Sequence, residues 1–128
     1  MALLSYQLVL LVFGDLSLSG NAVLKLDTWL IGASHMYHGD GIAFDPEGLL
    51  STLPAIVNII GGYLAGSFLQ KSGQNYKTIA LLTMFGSFLI FMALGWDLLF
   101  PINKKLWTSS FVVLTIGIDL IIISVLVY

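Results

Sequence analysis

From Leu49 to Leu69 the chain carries no charged side chain, and as a helix this stretch is long enough to cross the ~30 Å hydrocarbon core of a bilayer. Two later runs match it. The sequence predicts full spans over about Pro46 to Gln70, Thr78 to Phe100 and Leu106 to Tyr128. Only 9% of the 128 residues are charged, against about 25% in soluble domains. The fold class is therefore an all-α integral membrane protein. Net charge is −2, too small to imply a nucleic-acid partner, and the absence of cysteine excludes disulfides and thiolate chemistry.

Ahead of the first span the pattern changes. Ala2 to Phe13 is apolar but too short to cross a bilayer, and reads as the second half of a transmembrane helix. Asp15 to Gly20 is a turn. Asn21, Lys25, Thr28, Gly32 and His35 follow 4-3-4-3 spacing, so Asn21 to Ala33 is expected as a short amphipathic interfacial helix. Its apolar face would be Val23, Leu26, Leu30 and Ala33. Met36 to Phe44 is a loop. The chain begins without a basic leader and ends inside the apolar run Ile121 to Tyr128. The expectation is one transmembrane domain over 1–128, part of a larger multi-pass domain whose N-terminal helices would be its partners along with the lipid. Homo-oligomer formation is left open.

The first span has an acidic lead-in, Asp45-Pro46-Glu47-Gly48. Asp45 is expected as the N-cap, Pro46 as the first-turn proline, and Glu47 as negative charge at the positive helix end. Along that span Pro54, Asn58, Gly62 and Gly66 recur every four residues, which reads as a close-packed helix seam. Asn58 needs a hydrogen-bond partner there, on another helix or on a ligand. Asp119 lies in the middle of the last span and is expected to face the protein interior. Asp97 is expected in an ion pair with Lys104 or Lys105. His35 and His38 lack the companions of a metal site, so no metal is expected. The spans alternate in direction, which puts the acidic lead-in and the Pro101-to-Lys105 connector on one membrane face.

Two strings carry a family resemblance. Asp45-Pro46-Glu47-Gly48-Leu49-Leu50-Ser51-Thr52-Leu53-Pro54-Ala55-Ile56 and Phe100-Pro101-Ile102-Asn103-Lys104-Lys105-Leu106-Trp107-Thr108-Ser109-Ser110-Phe111 resemble the heparan-α-glucosaminide N-acetyltransferase family of multi-pass membrane proteins. Gly20-Asn21, Leu26-Asp27 and His35-Met36-Tyr37 resemble the segment that precedes the acidic motif. The resemblance implies transfer of an acetyl group from acetyl-CoA, as co-substrate, to a glucosamine-type amino sugar, in a bacterial inner membrane. The family's histidine motif has no counterpart here, so this stretch alone is expected to be inactive. His35, Asp45, Glu47, Asn58, Asn103 and Lys104 are the candidate substrate- or acyl-site residues. Pro46, Gly48, Gly62, Gly66, Trp107 and Asp119 are the candidate structural ones. The competing readings are an amino-sugar transport component and a structural membrane module without ligand.

Overall fold

The structure is a computed structural model that describes residues 1–39 and 41–128. Five α-helices and one 3-10 turn make up its regular structure, with no strand among the described residues. They are α1 (Ala2–Phe13), α2 (Ala22–Leu30), α3 (Thr52–Ser72), α4 (Tyr76–Asp97) and α5 (Ser109–Val127). The last three are long and apolar enough to cross a membrane. The all-helical membrane fold read from the sequence is borne out, with three spans and a short N-terminal helix.

The span boundaries are shifted, for physical reasons. α3 begins at Thr52, six residues after the expected Pro46. Asp45 does not cap it: its Oδ1 accepts from the Glu47 N–H at 2.9 Å, closing an Asx turn, and Gly48 N–H then bonds Asp45 O at 3.2 Å. Pro46 sits in that turn. The proline in the first helical turn is Pro54, where a missing N–H does no harm. A helix starting at Pro46 would have put Pro54 in its interior, breaking the ladder. α4 starts at Tyr76 because the Asn75 side chain accepts from Thr78 N–H at 3.0 Å. It stops at Asp97, since Leu99 and Phe100 N–H both turn back to Trp96 O ahead of Pro101. α5 begins at Ser109 rather than Leu106.

α4 and α5 pack the most closely. A Cβ on Gly86 would stand 2.7 Å from Gly117 O, and one on Gly117 2.8 Å from Gly86 O. This is the small-residue seam of the bundle. Thr83 Oγ1 donates to Ser124 Oγ across it at 2.9 Å. The expected seam at Gly62 and Gly66 packs against none of the described residues: a Cβ at either meets nothing within 4 Å. α3 instead turns Gly61 to Ile116, and Asn58 Oδ1 accepts from Thr115 Oγ1 at 3.3 Å. A strict four-residue repeat drifts around a helix of 3.6 residues per turn. The packed face accordingly runs Pro54, Asn58, Gly61 and Ala65. Between α3 and α4 an apolar cavity of about 420 Å³ opens, bordered by Leu64, Phe68, Leu81 and Phe85.

A cap sits over the N-terminal ends of α3 and α5. Its core joins Tyr6, Leu10, Val23, Phe44, Phe100 and Leu106. Four bonds tie α1 in: Tyr6 OH to Leu106 O at 2.6 Å, Ser109 Oγ to Leu3 O at 2.7 Å, Trp96 Nε1 to Gln7 Oε1 at 3.1 Å, and Lys25 Nζ to Phe13 O at 2.9 Å. α2 is capped by Asn21, whose Oδ1 accepts from Leu24 N–H at 2.7 Å. It ends at Leu30, so Gly32, Ala33 and His35 leave the expected helix; Gly32 takes φ 85° and starts the 3-10 turn Ala33–His35. The buried face of α2 is Val23 and Asp27, while Leu30 is exposed. Of the loop expected over Met36 to Phe44, Asp40 lies outside the described residues; Phe44 N–H closes the rest onto Tyr37 O at 2.9 Å.

Candidate functional site

The two motif loops meet over the start of α3. Glu47, Ser51, Thr52, Ala55 and Trp107 line a cleft of about 240 Å³. Glu47 comes from the acidic turn and Trp107 from the connector before α5, segments sixty residues apart in sequence. The two loops expected at one end of the bundle do line one cleft. No Glu47–Lys104 ion pair forms among the described residues, so charge attraction is not what joins them.

Each wall has a clear origin. Asn103 folds the connector: its Oδ1 accepts from Lys105 N–H at 2.9 Å and Leu106 N–H at 3.4 Å, its N–H donates to Thr108 Oγ1 at 2.8 Å, and its carbonyl accepts from Thr108 N–H at 3.2 Å. Asn103 is thus the organiser of the loop rather than a side chain aimed into the cleft. Asp97 Oδ1 accepts from Ile102 N–H at 2.6 Å, which anchors the loop's other end. At its apex Trp107 adopts φ 46°, the left-handed region that a non-glycine residue occupies at a strain of about 1–3 kcal/mol. Its ring meets Phe111 edge-on at 5.8 Å. The loop therefore holds a large aromatic in a strained position at the cleft rim.

The acidic wall is held from below by a residue that the sequence reading passed over. Asp27, fully buried on α2, accepts from Leu49 N–H through Oδ1 at 3.2 Å. Its Oδ2 presses on Gly48, where a Cβ would lie inside contact distance, and finds no hydrogen-bond partner among the described residues. A side chain at position 48 would have to displace the Asp27 carboxylate. Burial pushes the Asp27 carboxyl above the usual carboxylate range; the Leu49 N–H opposes this, and repulsion from Asp45 adds to it. Ser51 behaves similarly. It is 2% exposed, and its Oγ has no hydrogen-bond partner among the described residues although Tyr6 lies beside it.

The remaining sequence candidates scatter. His35 and Lys104 are exposed and border no part of the cleft. Asn58 is engaged with Thr115 on the bundle below. Asp119 is exposed, contrary to the expectation that it faces inward. The buried positions of α5 are Ser109, Ser110, Val112, Val113, Gly117, Leu120 and Ser124; Asp119 lies two turns beyond Val112 and one turn beyond Thr115 and Ile116, which meet α3, yet is itself uncovered. A carboxylate facing lipid at mid-span costs about 2.5–3.5 kcal/mol. Tyr6, Asp27 and Ser51, buried polar groups near the cleft, were given no role from sequence. A signal was present for Asp27, which lies four residues after Val23 and so one turn along the same face.

Over an alignment of 111 residues the chain is 32% identical to heparan-alpha-glucosaminide N-acetyltransferase of Mus musculus, covering 73% of this chain. The resemblance read from the two strings is borne out. The match spans 17% of that relative's length. No family model matches the chain, and no solved structure matches it.

Proposed function

We propose that this chain forms part of a membrane-embedded acetyltransferase, and that its cleft holds the amine acceptor, a glucosamine-type sugar. The observation that carries this reading is the convergence of Glu47 and Trp107 on one cleft at the start of α3. A carboxylate at the rim attracts an ammonium group, and an indole face accepts a cation or an apolar sugar face. The cleft lining has one carboxylate and no cation, which suits an amine better than the phosphates of acetyl-CoA. The co-substrate's phosphates are then bound by residues elsewhere in the protein.

In the reaction the bound ammonium first gives a proton to a base; the free amine then attacks the thioester carbonyl, a C–N bond forms, the C–S bond breaks, and the second amine proton ends on the departing CoA thiolate. Glu47 and Trp107 fix the nitrogen's position, while the base lies outside this stretch. The mouse relative's name, which specifies N-acetyl transfer to a glucosaminide, supports this reading. By the same reading the motif loops face the extracytoplasmic side of an inner membrane. The test is labelled acetyl transfer from acetyl-CoA to glucosamine in membranes carrying the protein, its Glu47→Gln variant and its Trp107→Ala variant. Both variants should lose transfer while inserting normally. Full transfer by both would refute the assignment.

A further inference from the structure

We propose that the side of the α3–α5 pair turned away from α4 receives another transmembrane helix, one that presents a basic side chain to Asp119. Spans alternate in direction, so α3 and α5 run parallel, and the Asn58–Thr115 bond and the Gly61–Ile116 contact fix their relative height. One helical turn beyond Asn58 and Thr115 come Gly62 and Asp119, at one height along the pair. Both lie off the α4 side, since α3 turns Leu64 and Phe68 to the cavity shared with α4, and α5 turns Gly117 to Gly86.

Three properties of that face specify what covers it. Gly62 and Gly66 have open space where a Cβ would stand, so a neighbouring backbone can come close. Ile122 and Leu126 are 49% and 80% exposed around Asp119, an apolar rim that lipid or a helix would fit. Asp119 itself sits at the midpoint of α5, exposed, where lipid offers a carboxylate nothing. Charge complementarity requires a donor at that depth. A second copy does not supply one: all five cations are lysines, at positions 25, 71, 77, 104 and 105, on α2, at helix ends or in a loop. Pairing two copies through this face would also set one Asp119 against the other. The occupant is therefore a different helix, with Lys or Arg near its centre.

The experiment measures association of the full chain, in membranes, with designed leucine-alanine helices carrying Lys, Leu or Glu at the central position, read by energy transfer between labels. The Lys helix should associate about tenfold more strongly than the Leu helix, a gap set by one interhelical polar contact. Asp119→Leu should erase the gap, and Gly62→Ile should weaken the Lys helix with Asp119 intact. Asp119→Lys should reverse the preference toward the Glu helix, which shows that the variant chain is still folded and competent. Equal association of the Lys and Leu helices with the unaltered chain would overturn the proposal. So would an Asp119→Lys chain that still prefers Lys.

Discussion

The cap and the three-helix bundle bury their side chains to very different degrees. In the cap Tyr6, Phe44, Phe100 and Leu106 are at most 1% exposed, and each loop is fastened by side-chain bonds to backbone. In the bundle Ile59, Tyr63, Phe91 and Val125 are 69–75% exposed, and apart from the Thr83–Ser124 and Asn58–Thr115 bonds its contacts are apolar. The cap is held by its own interactions, as a structure at the membrane–water boundary must be. The bundle leaves its outer faces to lipid and to other helices. Positioning of the candidate site belongs to the cap, whose polar groups are fixed in place, whereas the bundle supplies depth and docking faces.

The comparison can be broken most sharply inside the bundle. Gly117→Leu should destabilise the chain by about 3 kcal/mol in detergent unfolding, because its side chain meets the Gly86 carbonyl. Gly62→Ala should be near neutral, since open space lies there. Equal losses would mean that the seam is misplaced. In the cap, Gly48→Ala should cost about 2 kcal/mol by driving Asp27 out of contact. Asp27→Ala in the same chain should recover part of that loss, a coupling that a double-mutant cycle reads directly.

A pH prediction distinguishes the two regions more finely. Asp27 has its carboxyl raised from 3.8 by burial, so the folded cap holds a proton that the unfolded chain releases. Cap stability should therefore be greatest below the ordinary value and fall as pH rises through the raised one. Asp27→Asn should flatten this dependence in hydrogen exchange of α2, while exchange in α4 stays unchanged. A pH dependence that survives the substitution would place the titrating group elsewhere.

Much of the bundle was legible in sequence because a bilayer imposes a length and a composition that a chain displays openly. The boundaries were less so. Asp-Pro-Glu-Gly reads as a helix cap by residue type, yet the Asx turn at Asp45 competes for the same N–H groups, and Pro54 was the decisive clue. Periodicity of four pointed at Gly62, while the helix turns at 3.6 and so buries Gly61. Glu47 was a site candidate from its string, and Trp107 a structural one. Tyr6 and Ser51 were neither, because a tyrosine in an apolar helix and a serine before one carry no local mark. Their burial comes from the docking of α1 against the connector, a long-range event.

If the cap cleft holds an amine through Glu47, charge on the ligand decides its binding. The decisive measurement compares binding of glucosamine with binding of N-acetylglucosamine, which lacks the charge, to the purified protein and its Glu47→Gln variant. The unaltered protein should prefer the charged amine by about tenfold, the scale of one charged contact. Glu47→Gln should abolish that preference and leave N-acetylglucosamine binding unchanged. A preference for the amine that persists in Glu47→Gln would contradict the claim and place the acceptor elsewhere in the protein.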